Sequence, residues 1–356
     1  MSVLSIVHGF QSTLGRAADP DGAMVLRSGS RDEISSGLSR DTVRIVKEAP
    51  GIRRGVDGPH ASAELVEMIT LPRASTTTAA NVAVRGLEPI GFALRGDIRI
   101  IEGRRFALAR RELIVGRSAQ RQFAGLEIGR TVMWGTDPWV VTGVFDARGS
   151  IAESEIWCDV GVLQAAFRKE GIVGALHVRL TSPGAFAEFR DALTSDPRLS
   201  VAVLRERDYY AQQSIATSQL VSTVGLGIVG LMAMGAVFCT VNTMYTAVAG
   251  RTREIATLRA LGFGSTAVVF SVLVESALLA FVGGTVGGLA AWGLLDGYQT
   301  STLNWNSFSQ VVFAFAVTPK LVATGVLSAV VIGLVGGILP AMRATRVPVA
   351  SALREL

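Results

Sequence analysis

The chain has 356 residues, 49% of them apolar and only 18% charged, and its mean hydropathy is positive. That length allows two domains of ordinary size, and that balance excludes a fold wholly exposed to water. The net charge of +5 comes from arginines spread along the chain, with no basic run interleaved with aromatics, so no nucleic-acid partner is expected.

In chain order, the residues before about 210 carry frequent charges and hold no apolar run near the roughly 20 residues that a membrane helix needs. They read as a mixed α+β domain. Val25-Leu26, Glu64 to Thr70 and Asn81 to Arg85 are strand candidates rich in β-branched residues. Ser39 is placed to cap a helix through Val43 and Val46 that stops at Pro50. Glu112 to Val115 reads as a strand leading into a helix from about Ser118 to Phe123. Thr131 to Trp134 and Trp139 to Phe145 flank Gly135-Thr136-Asp137-Pro138, a hairpin signal. Leu176 to Leu180 and Leu199 to Leu204 read as strands around a helix from Pro183 to Leu193.

From Tyr209 to Gly250 there is no charged residue. About 40 residues make roughly 60 Å of helix, twice the hydrocarbon thickness, so the polar first turns Tyr209 to Ser214 predict a stalk outside the membrane. The spanning part is then about 220–247. Further spans are expected at about 266–295, interrupted by Glu275, and at about 321–342, entered through Pro319. Basic residues orient them. The loop Arg251 to Arg259 and the tail with Arg343, Arg346 and Arg354 should be cytoplasmic, whereas Asp296 to Thr318 carries no Lys or Arg but holds Tyr298 and Trp305. By parity the α+β domain lies outside.

Catalytic patterns are lacking. His8, His60 and His177 show no ligand spacing, so no metal, cofactor or catalytic residue is expected, and Cys158 and Cys239 read as two unpaired residues. No phosphate-binding loop occurs, since none of Lys47, Lys169 and Lys320 follows glycine. In the first loop Ile255, Leu258 and Leu261 fall at helical spacing, with Arg251, Arg253, Glu254 and Arg259 elsewhere. This is either a positive-inside turn that only sets topology, which composition favours, or a helix that docks on a partner. Glu275, a carboxylate within a span, has no second intramembrane titratable group beside it for a proton relay, so a structural role is favoured. Gly283/Gly287 and Gly284/Gly288 are small-xxx-small pairs that serve dimerisation or internal packing equally well.

The segment Arg251-Thr-Arg-Glu254-Ile255-Ala-Thr-Leu258-Arg259-Ala260-Leu261-Gly262 resembles the coupling element of the FtsX/MacB family of ABC permeases. Glu275 followed by Gly283-Gly284 and Gly287-Gly288 resembles that family's next segment, and Leu339 to Arg354, with Pro340, Arg343 and Pro348, resembles its terminus. Ile101 to Phe106 and Glu112 to Gly116 resemble its MacB-type periplasmic core. The resemblance implies a non-enzymatic permease subunit in a prokaryotic inner membrane, multi-pass, with its C-terminus cytoplasmic. The coupling residues would be Arg251, Glu254, Ile255, Leu258, Arg259, Leu261 and Gly262, with Glu275, Gly283, Gly284, Gly287 and Gly288 structural within the membrane. Implied partners are a separate ABC ATPase subunit, a second permease copy, a periplasmic membrane-fusion adaptor and the lipid bilayer. Export or extraction of a substrate is the expected activity. An FtsX-like regulator of an envelope enzyme is the alternative, and a secondary transporter using Glu275 fits three spans poorly. The expected domains are 15–208, MacB-like and extracytoplasmic, and 209–356, stalk and membrane bundle. Residues 1–14 read as the remnant of a first membrane helix, because the family carries four spans and an outer domain must be led across the bilayer.

Overall fold

The computed structural model describes residues 19–346 apart from 57, 77, 96, 97, 135, 136, 304–309 and 316. The expected helix remnant at residues 1–14, with His8, lies outside the described residues, as do Gly135, Thr136, Trp305 and the end of the chain from residue 347. The described residues form two compact units. One holds residues 19–218 with 299–303 and 310–314; the other holds 219–298 with 315 and 317–346.

The first unit is built on a ten-stranded sheet of β1 (Gly22–Arg27), β2 (Ala61–Pro72), β3 (Ala79–Leu87), β4 (Arg99–Gly103), β5 (Glu112–Gly116), β6 (Thr131–Trp134), β7 (Asp137–Asp146), β8 (Ile156–Asp159), β9 (Ala175–Arg179) and β10 (Val201–Arg205). The strand order is β10-β1-β9-β2-β3-β8-β5-β7-β4, with β6 hairpinned onto β7. Pairs β3/β8 and β5/β7 are parallel and the others antiparallel. On β5 and β8 the side chains alternate between two cores. Leu113, Val115, Ile156 and Cys158 enter one with Phe123 and Trp139; Ile114 and Trp157 enter the other with Leu87 and Phe145. Burial on both faces makes such strands continuous apolar runs rather than alternating ones.

Helices cover the sheet: α1 (Arg40–Glu48), α2 (Gly91–Leu94), α3 (Arg117–Gln122), α4 (Val160–Ala166) and α5 (Phe186–Thr194). The hydroxyl of Ser39 accepts from Thr42 N at 3.3 Å and starts α1, and Val46 turns into the core with Phe189 and Leu176. The segment Ile101 to Phe106 has a geometric reason. Gly103 sits at φ +71° and a Cβ there would lie 2.3 Å from Thr142 O, so the chain turns against β7 and buries Phe106.

The second unit holds most of α6 (Glu206–Gly250), then α7 (Thr252–Ala260), α8 (Ser265–Leu295) and α9 (Pro319–Arg346). Among the described residues three stretches are long and apolar enough to cross a membrane, Ser222–Gly250, Ser265–Leu295 and Pro319–Arg346, whose most apolar parts reach mean hydropathies of 2.2, 2.1 and 2.3. Hydroxyls inside them bond back to the preceding turn, as Thr240 does to Ala236 O at 2.8 Å and Thr285 to Phe281 O at 2.7 Å. Between α8 and α9 two strands pair, β11 (Gln299–Leu303) and β12 (Gln310–Ala314), within the segment expected as a loop.

The close contact between α8 and α9 rests on glycines of α9. Ser276 donates to Gly333 O at 2.6 Å, and a Cβ on Gly333 would meet Ala280 Cβ at 2.5 Å. Gly337 lies as close to Ser276, and Gly336 faces Thr240 of α6. Replacing Gly333 with Leu should cost about 1–3 kcal/mol by overpacking and lower the thermal midpoint of the detergent-solubilised protein. Gly287→Leu, at a position with open space around it, should leave the midpoint where it is; equal effects would show that the α8–α9 contact is not the tight one.

Candidate functional site

Two constellations stand out. One is the sharp corner around α7. Arg251 interrupts the helix between α6 and α7, and its guanidinium bonds the carboxylate of Glu275 on α8 with both N···O distances at 3.0 Å. Glu275 therefore faces a cation at the corner and ties α8 to the turn. At the far end, Gly262 adopts φ +98°; its N–H bonds Arg259 O at 3.1 Å and Phe263 N–H bonds Leu258 O at 3.1 Å. That pair of bonds is a Schellman stop, which requires a residue free to take the left-handed conformation.

The faces of α7 depart from the sequence reading. Ile255 packs beside buried Ala256 onto a cluster that includes Met244, Val248, Val268 and Val272. Leu258 is 44% exposed, Leu261 73% and Phe263 55%. At about 100° per residue, Ile255 and Leu261 lie some 120° apart, so the apolar stripe is wide enough to serve both the bundle and the outside. The outward apolar corner is Leu258, Leu261 and Phe263, with Arg253 and Glu254 exposed beside it. Among the glycines, Gly284 packs against Ala329 and Val326 of α9, Gly288 is buried, and Gly283 and Gly287 face open space.

The other constellation is the root of α6. Its first turns are helical from Glu206 through Ser218 without a break, as the expected stalk requires; Tyr209, Tyr210 and Gln213 are buried, while Arg207, Asp208, Ala211 and Gln212 are exposed. Glu206 accepts from Asp19 N at 3.1 Å and sets its other oxygen 3.7 Å from His177 Nδ1. His177 Nε2 lies 3.5 Å from Glu64 and 3.9 Å from Glu33. Arg85 binds Glu155 through two bonds of 2.8 Å, Glu64 at 2.9 Å, and Glu33. Arg95 binds Glu64 at 2.7 Å, and Trp157 donates to Glu155 at 2.7 Å. Adjacent strands assemble this set, because register places Glu64 opposite Ala175, His177 opposite Ser62 and Arg85 opposite Trp157.

Four carboxylates here face two guanidiniums and one imidazole, which sets the protonation states. Burial alone would keep His177 neutral, but Glu64, Glu206 and Glu33 lift its pKa to about 9 against the opposing Arg95. Burial would likewise raise Glu64, yet Arg95, His177 and Arg85 pull it to about 2. Against its burial, Arg85 and His177 hold Glu33 well below the usual carboxylate range. Donor atoms of Glu33, Glu64 and His177 lie within 4.8 Å of one another, a spacing that a metal ion could use. Both carboxylates already carry a guanidinium, however, so a metal would have to expel Arg85, and the set reads as an ion-pair network. Sequence reasoning passed over it, since its members are separated by up to 173 residues, from Glu33 to Glu206. The available signal was single charged or titratable residues, Glu64, Arg85 and His177, standing within otherwise apolar strands.

Comparison with known proteins agrees with this architecture. The MacB-like periplasmic core domain model matches residues 1–196, and the FtsX-like permease C-terminal model matches residues 226–349. The macrolide export ATP-binding/permease protein MacB of Burkholderia cenocepacia is 24% identical over 256 residues, covering 67% of this chain and 36% of that protein. The MacB protein of Chromobacterium violaceum is 22% identical over 398 residues, covering 100% of this chain and 58% of its own length. The chain thus spans little more than a third of the first curated relatives it matches. The periplasmic region of MacB from Actinobacillus actinomycetemcomitans aligns with a TM-score of 0.41 at 12% identity, over 54% of this chain and 92% of that one.

The network predicts a pH dependence. His177 has a folded pKa above its unfolded value of 6.5, so its contribution is complete below pH 6.5 and is lost as pH rises through 9. The loss should be about 3 kcal/mol. Glu64, depressed to about 2, contributes fully above pH 4.5 and is lost as pH falls through 2, so stability should be greatest between pH 4.5 and 6.5. Denaturation midpoints at pH 6 and pH 10 should differ more for the wild-type chain than for His177→Gln. Parallel profiles would remove His177 from this role.

Proposed function

Since this chain belongs to the FtsX/MacB family of ABC permeases, we propose that it converts the work of a separate ABC-type ATPase into movement of its N-terminal domain. The observation that carries the reading is the outward apolar corner of Leu258, Leu261 and Phe263, held by the Arg251–Glu275 pair on one side and the Gly262 stop on the other. Three large apolar side chains set on a braced corner present an anchor that a groove on an ATPase would cover. The basic residues support a cytoplasmic position for that corner. Arg251, Arg253 and Arg259 flank it, and Arg343 and Arg346 close α9 on the same side by the positive-inside rule. Parity then puts the sheet domain outside the cytoplasm.

Transmission follows from α6. Its last turns lead into the corner, and its first turn is paired by charge through Glu206 with the His177 network. An unbroken helix moves as a rod on the timescale of domain motion, so displacement of α7 by the ATPase is passed to the sheet through Glu206, Tyr209 and Tyr210. Export or extraction of a substrate at the outer face, by a pair of such permeases and with an adaptor where the envelope has one, is the activity this machinery fits.

Leu258→Asp with Leu261→Asp tests the corner. The double variant should insert and fold normally, because both side chains are exposed, yet reduce permease-stimulated ATP hydrolysis by about tenfold or more, since a carboxylate would be buried against an apolar groove. Ile255→Asp should instead destabilise the bundle itself. Full stimulation with the double variant would show that the ATPase engages another surface.

A further inference from the structure

The first unit holds a cleft of about 530 Å³ between α1 and α4 that none of the transmission machinery uses. Its floor is apolar, made by buried Ala63 and Val173 with Val43 and Val160 partly buried on the two helix walls. Its rim is cationic. Arg40, Arg44 and Lys47 line it from α1 at the i, i+4, i+7 spacing of one helical face, with Val43 between them and Val46 turned away into the core. Arg54 stands on the remaining edge.

The cations are not equally neutralised. Lys47 Nζ lies 2.8 and 2.7 Å from the two oxygens of Glu88, one of which also accepts from Ala63 N. Arg44 meets only Asp41, at 3.4 Å with both side chains largely in solvent, a weak pairing. Among the described residues no ion pair is formed by Arg40 or Arg54. Arg40 lies across Gly171, where a Cβ would come within 2.9 Å of its Nε, so the bare glycine seats the guanidinium on the rim. In all, four cations face two carboxylates, Glu48 and Glu88, over an apolar floor.

We propose that this cleft is a binding site for a small organic anion, a carboxylate, phosphate or sulfonate carried on an apolar body, with Arg40 and Arg54 receiving the anion and Val43, Val160 and Val173 the apolar part. A volume of this size suits a small molecule. Apolar walls strengthen the charge interaction by excluding water from one side of it. The site does not depend on the export reading, since every residue in it belongs to the sheet domain.

The test uses the full chain in nanodiscs of zwitterionic lipid and a twelve-carbon carboxylic acid bearing a diazirine, with the matched alcohol as control. After photolysis, adducts are mapped by peptide mass spectrometry. The acid should label residues 40–54 and 160–173 saturably, and about fivefold more than the alcohol does. Arg40→Glu with Arg54→Glu should abolish the labelling. Gln164→Trp, which keeps every charge and fills the cleft, should abolish it too. Decanoate should protect. Protection by inorganic phosphate as effective as by decanoate would overturn the requirement for an apolar body. Equal labelling by acid and alcohol, or labelling confined to α6, α8 and α9, would overturn the site.

Discussion

Arg85 is the residue on which the N-terminal unit turns. A guanidinium at the centre of a sheet is costly to desolvate unless each donor finds an acceptor, and here Glu33, Glu64 and Glu155 enclose it. Those carboxylates then need further cations, which Arg95 and His177 supply, and His177 in turn draws Glu206 to the sheet. The chain of requirements ends at the first residue of α6. The start of that long helix is thus placed by the charge balance of the sheet, in addition to the burial of Tyr209 and Tyr210.

The membrane unit is organised by a different constraint. Lipid offers no hydrophobic drive for helix association, so packing must come from close approach and from hydrogen bonds. Gly333, Gly336 and Gly337 supply the approach, and Ser276 the hydrogen bond. Among the described residues of this unit the ion pair is Arg251–Glu275, which sits at the corner between α6 and α8 and braces the turn that carries the exposed apolar residues.

Much of the fold was legible because it follows local rules. The cap at Ser39, the strands rich in β-branched residues, the hairpin around Asp137 and the three apolar spans all announce themselves within a window of about 20 residues. What was misread was side-chain surroundings. The burial of Tyr209, Tyr210 and Gln213 was not legible, because polar composition says nothing of which sheet lies beside a helix. Ile255 was grouped with Leu258 and Leu261 because helical spacing gives relative angles and leaves open which direction faces the bundle. Among the glycines, those of α8 stood out by their repeat, while the tightest contacts belong to α9.

The sequence by itself determined the family, the two-part architecture and the presence of membrane spans, since hydropathy and short motifs are properties of neighbouring residues. Only the tertiary structure decided that Glu33, Glu64, Arg85, Glu155, His177 and Glu206 form one buried network, and that an apolar cleft lies beneath the cations of α1. Strand order and register set those juxtapositions, and no local pattern encodes which strand lies next to which. The physical reason is that a buried charge is stabilised by partners chosen in space, across β9, β2, β3 and β8, however far apart they stand along the chain.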